Sequence, residues 1–302
     1  MMSVCPDLDI VIVTHNSAHV VGDLLDSLPA ALDGLTADTV VVDNGSTDGT
    51  VALVQARDDC RVVRSPNLGY AGGINRGVQE AAPANAILIL NPDVRLHEGC
   101  VPPLLGGLAE PATGIVVPQV RSAEGTLEYS LRREPTLLRA LGLTRTRLPA
   151  MSEYITEADK YSRPGVVDWA LGAALLMSRA CYDALGGWDE SYFLYSEETD
   201  LSLRARDLGL LTRYQPRSVA VHIGGQSGRN NRTHSMQIVN RVRLYRRRHT
   251  PLAAWCYYIL TISSEISWVM RGQRQSRASL MALLRPSLRP SELGCSDRIM
   301  PR

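Results

Sequence analysis

The sequence predicts an α/β fold, a mostly parallel sheet with helices on both faces. Three observations predict it. Short β-branched runs alternate with segments long enough for crossover helices, polar residues follow each run, and 45% of the 302 residues are hydrophobic against 21% charged, enough for a sizeable core. Leu8 to Thr14, Thr39 to Asp43, Arg61 to Arg64 and Ala86 to Leu90 read as strands buried on both sides. Between them Val20 to Leu28, Gly49 to Arg57 and Ala71 to Ala81 read as crossover helices. Ligands of open α/β sheets gather at the carboxyl ends of strands. Here those ends carry Thr14-His15-Asn16, Asp43-Asn44-Gly45-Ser46 and Asn91-Pro92-Asp93.

Beyond the first four strands the pattern blurs. Residues 120–167, rich in Arg, Pro and Thr, read as a variable, loop-rich insertion. Order returns at Val167 to Met177, followed by a helix over Arg179 to Leu185 closed by Gly186-Gly187, a helix over Leu201 to Leu208, and a last strand from Leu211 to Val221 ending at His222. The chain divides into a domain over 1–228 and a basic tail over 229–302. The tail holds 14 Arg against Glu265, Glu292 and Asp297, a surplus of +11 that leaves −10 on residues 1–228 of a chain whose net charge is +1.

Within that tail Leu252 to Met270 is apolar and aromatic, yet Thr261, Ser263, Ser264 and Glu265 interrupt it, and a carboxylate at mid-span is costly inside a bilayer. Arg241, Arg243 and Arg246 to Arg248 precede the run; Arg271, Arg274 and Arg277 follow it. Two placements fit equally: a helix in the interface of an anionic membrane, or one packed on the domain or in a homodimer. The six cysteines are scattered singly, against a disulfide framework or a zinc site. The first apolar run follows acids rather than a basic stretch, so no secretory signal is read. The expected location is cytoplasmic, with peripheral attachment to the inner face of the cell membrane through the tail.

Five segments carry chemistry. Asp43-Asn44-Gly45-Ser46 offers a carboxylate at a strand end to a nucleobase or ribose; an ordinary turn with Ser46 or Thr47 capping the next helix is the plainer alternative. Asn67-Leu68-Gly69-Tyr70-Ala71-Gly72-Gly73-Ile74-Asn75 lets a backbone approach a ligand at a helix start. It matches neither a dinucleotide fingerprint nor a phosphate-binding P-loop. Asn91-Pro92-Asp93 supplies one carboxylate able to hold Mg2+ or Mn2+ beside diphosphate oxygens. Glu197, Glu198 and Asp200 repel one another unless a cation or helix start compensates. A raised pKa in one of them would suit a general base, whereas Arg204 four residues beyond Asp200 suits a helical ion pair. Last, His222 before Gly224-Gly225-Gln226-Ser227 is a candidate metal ligand or phosphate donor.

In this order the five segments resemble family 2 glycosyltransferases, in their rhamnosyltransferase-like branch, over roughly Leu8 to Ser227. The resemblance implies the GT-A fold, an inverting hexosyltransferase mechanism, a nucleotide-diphosphate sugar donor such as dTDP-rhamnose, and Mg2+ or Mn2+. The acceptor it implies is a glycan or a polyprenyl-diphosphate-linked sugar of cell-wall or polysaccharide assembly. By position it places Thr14, Asn16 and Asp43 at the nucleoside, Asn67, Gly69, Asn75 and Asn91 along the nucleotide and diphosphate, and Asp93 and His222 at the metal. Trp169 and Gly172 are further substrate-binding candidates. Glu198 stands where the family has the Asp of a Glu-Asp pair, leaving Glu198, Glu197 or Asp200 as the base. A catalytically inactive nucleotide-sugar-binding protein of the same fold is the alternative. A nicotinamide oxidoreductase needs a Gly-rich turn where Thr14-His15-Asn16 stands. Nucleic-acid binding is not expected, because the tail aromatics form an apolar block rather than interleaving with Arg.

Overall fold

The computed structural model describes residues 6–143, 148–224, 230–294 and 299–300. Strands β1 (Leu8–Thr14), β2 (Ala37–Asn44), β3 (Arg61–Ser65) and β4 (Ala86–Leu90) run parallel in the order β3-β2-β1-β4. Helices α1 (Val21–Leu32), α2 (Thr50–Gln55) and α3 (Gly69–Glu80) connect them. Alternation in β1 sorts its side chains between two cores: Leu8, Ile10 and Ile12 face α1 residues such as Leu24, whereas Val11 and Val13 face Ala71, Ile74 and Val78 of α3. Covering both faces explains why β4 is apolar throughout and β1 is apolar except for Asp9, which pairs with Arg179, and Thr14 at its end.

Next come β5 (Val94–Leu96), α4 (Val101–Leu108) and β6 (Thr113–Ser122), then β7 (Leu131–Arg132), α5 (Leu137–Ala140), α6 (Ala158–Ser162), β8 (Gly165–Val167) and β9 (Trp169–Ala170). After these follow β10 (Ala174–Ser178), α7 (Arg179–Leu185), α8 (Glu197–Asp207) and β11 (Leu211–His222). The nine-stranded sheet continues β4-β10-β6-β11-β5, with β8 also paired to β11. Parallel across its first half, the sheet turns mixed because β10 runs antiparallel to both β4 and β6. The stretch expected as loops is tied to the ordered segment that follows it, since its β7 pairs with β9 across Arg132 and Trp169.

Topology gathers the polar strand ends. Strands β1, β2 and β4 finish at one edge of the sheet. Reversed β10 pairs Ala174 with Leu90, so Trp169 to Ala173 enter at that edge. Strand β11, antiparallel to β5, pairs His222 with Val94 and so brings its end beside Asp93.

Three helices complete the described chain: α9 (Asn231–Arg248), α10 (Pro251–Met270) and α11 (Arg274–Leu284). They share a third core in which Met236, Val239 and Tyr257 pack with Phe193, Leu194 and Tyr195 of the loop before α8. Asn230 and Thr233 form a reciprocal capping box at the start of α9. The expected division at 228/229 and the residues Gly225-Gln226-Ser227 lie outside the described residues.

Candidate active site

A cavity of about 1050 Å³ opens where the strand ends meet α8, the paired strands β7 and β9, and the C-terminal helices. Thr14, Asn16, Asn67, Gly69, Asn91, Asp93, Trp169, Gly172, Glu197, Glu198 and His222, all expected site residues, line it.

Its nucleoside end is held by short polar turns. The Thr14 hydroxyl donates to the Val42 carbonyl at 3.3 Å and to Asp43 Oδ1 at 3.4 Å. Asn16, in the left-handed region at φ 53, accepts the Thr47 amide on Oδ1 at 2.8 Å and donates its own backbone amide to Ser46 Oγ at 2.8 Å. His15 Nδ1 lies 2.9 Å from the Asn44 carbonyl. The sequence predicts that Ser46 or Thr47 caps α2, and neither does; Asp48 Oδ1 accepts the Thr50 amide at 3.1 Å instead.

Three expected residues stand off the cavity wall, each with its polar atoms committed elsewhere. Asp43 is buried behind Thr14, and its Oδ2 accepts the Ser46 amide at 3.0 Å. Asn75, expected beside the nucleotide, is a structural clamp: its Nδ2 donates to the Trp188 carbonyl and Glu190 Oε1, both at 2.9 Å, and its Oδ1 accepts from the Trp188 amide and Tyr182 hydroxyl. Asp200, a candidate base, faces Arg204 Nε at 2.6 Å and the Tyr192 hydroxyl at 3.3 Å. The helical ion pair weighed against the catalytic reading is the one that forms.

At the middle of the cavity His222 Nε2 lies 3.4 Å from Asp93 Oδ2, and its Nδ1 lies 3.5 Å from Glu128 Oε2. The Asp93 hydrogen bond raises the imidazole pKa above its ordinary value against the lowering effect of burial. Among the described residues no trio of His, Cys, Asp or Glu is placed to ligate a metal by itself. An oxygen and a nitrogen donor on one wall nevertheless suit a hard divalent cation whose remaining positions are filled by diphosphate and water.

Helix α8 begins at Glu197, a turn earlier than expected, so both Glu197 and Glu198 occupy its first turn. There the helix dipole favours negative charge. Each keeps a buried Oε2 without a hydrogen-bond partner. Burial raises the Glu197 pKa well above the ordinary carboxylate range, with Glu198 adding to it, and burial raises Glu198 likewise against the lowering effects of its backbone and Arg132. The preceding loop is strained: Phe193, Tyr195 and Ser196 all take positive φ, a costly state for residues with a side chain. Buried Asn240 of α9 holds it, donating through Nδ2 to the carbonyls of Tyr192 at 2.7 Å, Leu194 at 2.9 Å and Tyr195 at 3.1 Å. From the other side the Tyr70 amide donates to the Phe193 carbonyl at 2.7 Å. Gly69 makes that approach feasible: it sits at φ +76, and a Cβ there would lie 2.3 Å from the same carbonyl.

Several lining residues carried no legible sequence signal. Buried Arg132 donates to the Leu131 carbonyl at 3.0 Å and stacks 4.0 Å from the Tyr154 ring centroid. Its two-residue strand is too short for any periodicity to reveal. His234, Glu265, Trp268, and the ion-paired Arg241 and Glu153 also reach the cavity, from the tail and from the expected insertion.

The sequence model of Glycosyl transferase family 2 matches residues 9–167. The chain belongs to that family. This glycosyltransferase is 30% identical over 305 residues to the N-acetylglucosaminyl-diphospho-decaprenol L-rhamnosyltransferase of Mycobacterium tuberculosis strain H37Rv, covering 94% of the chain and 95% of the relative. It is also 30% identical over 113 residues to Rhamnosyltransferase WbbL of Escherichia coli K12, covering 36% of the chain and 40% of that protein. Among solved structures, the mannosyltransferase PcManGT from Pyrobaculum calidifontis, in complex with GDP-Man and Mn2+, superposes with a TM-score of 0.57 at 16% identity, covering 97% of this chain and 84% of that one. TarS of S. aureus in complex with UDP-GlcNAc gives a TM-score of 0.57 at 13% identity, covering 95% and 82%. The glycosyltransferase thus has the GT-A fold its motifs implied.

Proposed function

We propose that the enzyme transfers rhamnose, with inversion, from dTDP-rhamnose to a hydroxyl of an N-acetylglucosaminyl-diphospho-polyprenol. One observation carries the reaction: Glu197 and Glu198, each with one buried carboxylate oxygen that lacks a hydrogen-bond partner, line the same cavity as the Asp93–His222 pair. Donor and acceptor are supported by the relative in M. tuberculosis, whose similarity extends over nearly the whole of both chains.

Asp93 and His222 would hold a divalent cation, Mg2+ or Mn2+, which when bound neutralises charge on the departing diphosphate. Thr14, Asn16 and Asn67 position the nucleotide against the strand ends. Glu198 takes the proton of the acceptor hydroxyl as its oxygen attacks the anomeric carbon opposite the diphosphate, and Glu197 keeps its own proton because a second charge so close is unfavourable. Burial raises the Glu198 pKa, and the Arg132 guanidinium opposes that rise by favouring the ionised form.

The acceptor reading also assigns a place to the enzyme. Among the described residues no helix is long and apolar enough to cross a membrane. Helix α10 is instead built inside out: Thr261 and Glu265 face the protein, while Leu252, Ile259 and Met270 are 75%, 57% and 80% exposed. Exposed Arg274, Arg277 and Arg285 adjoin it, and the combination suits an anionic bilayer surface. The full-length protein should release dTDP from dTDP-rhamnose only with Mg2+ or Mn2+ and form a disaccharide lipid whose new bond is inverted. Retention of anomeric configuration, or transfer undiminished by EDTA, would refute the mechanism.

A further inference from the structure

We infer that His234 of α9 and Glu265 of α10 form the acceptor-sugar subsite, gripping the polar edge of a pyranose whose apolar face lies on Trp268. Their side chains are 9% and 5% exposed, and His234 Nε2 lies 3.4 Å from Glu265 Oε2. Both nonetheless line the cavity, where His234 Nδ1 has no hydrogen-bond partner and Glu265 Oε2 faces the His234 imidazole without a hydrogen bond of good geometry. A buried polar atom without a partner destabilises the fold and, in a native protein, marks a function or a missing ligand. Glu265 faces His234 on the buried side of α10, and the unsatisfied His234 Nδ1 leaves the pair open to what enters the cavity.

The chemistry of the wall selects the occupant. Glu265 accepts from hydroxyl or amide donors, and the free imidazole nitrogen pairs with a further hydroxyl. Ser264 and Gln273 line the same wall beside the Trp268 indole, and an aromatic ring matches the apolar C–H face of a sugar. The Glu265 carboxylate disfavours an anion at the pair, and Arg271, 5.0 Å from the Trp268 ring centroid, covers one face of the indole and leaves the other for the sugar. The pair therefore recognises the neutral ring of the acceptor, leaving diphosphates to the cationic groups elsewhere in the cavity.

This subsite rests on the reading of the cavity as a sugar-transfer site, but binding tests it without turnover. The full-length protein would be titrated with farnesyl-diphospho-N-acetylglucosamine, following tryptophan fluorescence, with Trp268→Phe identifying the reporter. Glu265→Gln and His234→Asn should each weaken the probe by at least about tenfold, the scale of a lost charged hydrogen bond. Affinity for dTDP with Mg2+ should stay within about twofold. On unmodified protein, a probe bearing a diazirine on the sugar should label α9 and α10, which covers the case of a variant that fails to fold. Wild-type affinity in a folded variant, labelling confined to the sheet edge, or no binding by the wild type would overturn the inference. Protein that binds the probe through these residues yet moves no sugar from dTDP-rhamnose would retire the donor assignment and keep the subsite.

Discussion

Glu197 and Glu198 show how burial writes a pH profile. Both carboxyls titrate above the ordinary value of 4.5 because burial disfavours their charged forms. Transfer should therefore rise with pH along a limb displaced above that value, and Glu198→Gln should cut turnover by at least about a hundredfold while donor affinity holds. Measured kcat against pH checks both; a profile flat from pH 4 upward would remove Glu198 from the role. Stability moves the opposite way. The folded state holds the Glu197 proton in a window where the unfolded chain has released it, so folding stability falls as pH climbs from about 4.5 toward the raised value. Chemical denaturation across that window should show a shallower fall in Glu197→Gln. The acidic cluster itself was legible in the sequence. Which member pairs with Arg204 and which opens into the cavity was not, because that depends on where the helix starts, and Ser196 in the left-handed region sets it.

At the scale of elements, close approach and strain carry the site. Helix α3 packs on β1 through Gly73 and Gly77: a Cβ at Gly77 would lie 2.4 Å from Val11 Cγ1, and one at Gly73 2.6 Å from Val13 Cγ1. Gly77→Ala should destabilise the protein by about 1–3 kcal/mol, the usual overpacking penalty, seen as a lower denaturation midpoint. The α9 helix acts on the loop before α8. Asn240→Ala strips three carbonyls of their donor and should lower kcat about ten- to a hundredfold with donor KM nearly unchanged, since catalysis is sensitive to small misplacements. Equal losses in kcat and melting temperature without that split would make Asn240 merely structural. Regular strands and crossover helices were readable because their periodicity is local. By contrast β7 and β9 are two residues each and draw their stability from one another, so no window of sequence reveals them.

At the scale of the whole molecule, the C-terminal helices line the cavity on one face and α10 is apolar on the other. The sequence allowed either a membrane-surface helix or a packed one; α10 buries Ala254, Tyr257, Thr261 and Glu265 while exposing Leu252, Ile259 and Met270. Replacing those three exposed residues by Ser should abolish flotation with anionic liposomes while leaving the melting temperature within about 2 °C, as surface changes usually do. Unchanged flotation would place the membrane contact elsewhere. By itself the sequence determined the α/β class, the strand ends that carry polar residues, and the family, because these follow from local alternation and from motifs ordered along the chain. The tertiary structure decided which groups share the cavity. Reversal of β10 and the return of β11 bring distant residues to one edge, and burial around the cavity there leaves one oxygen each of Glu197 and Glu198 on α8, and His234 Nδ1 on α9, without a hydrogen-bond partner; neither is a property of any short stretch of sequence.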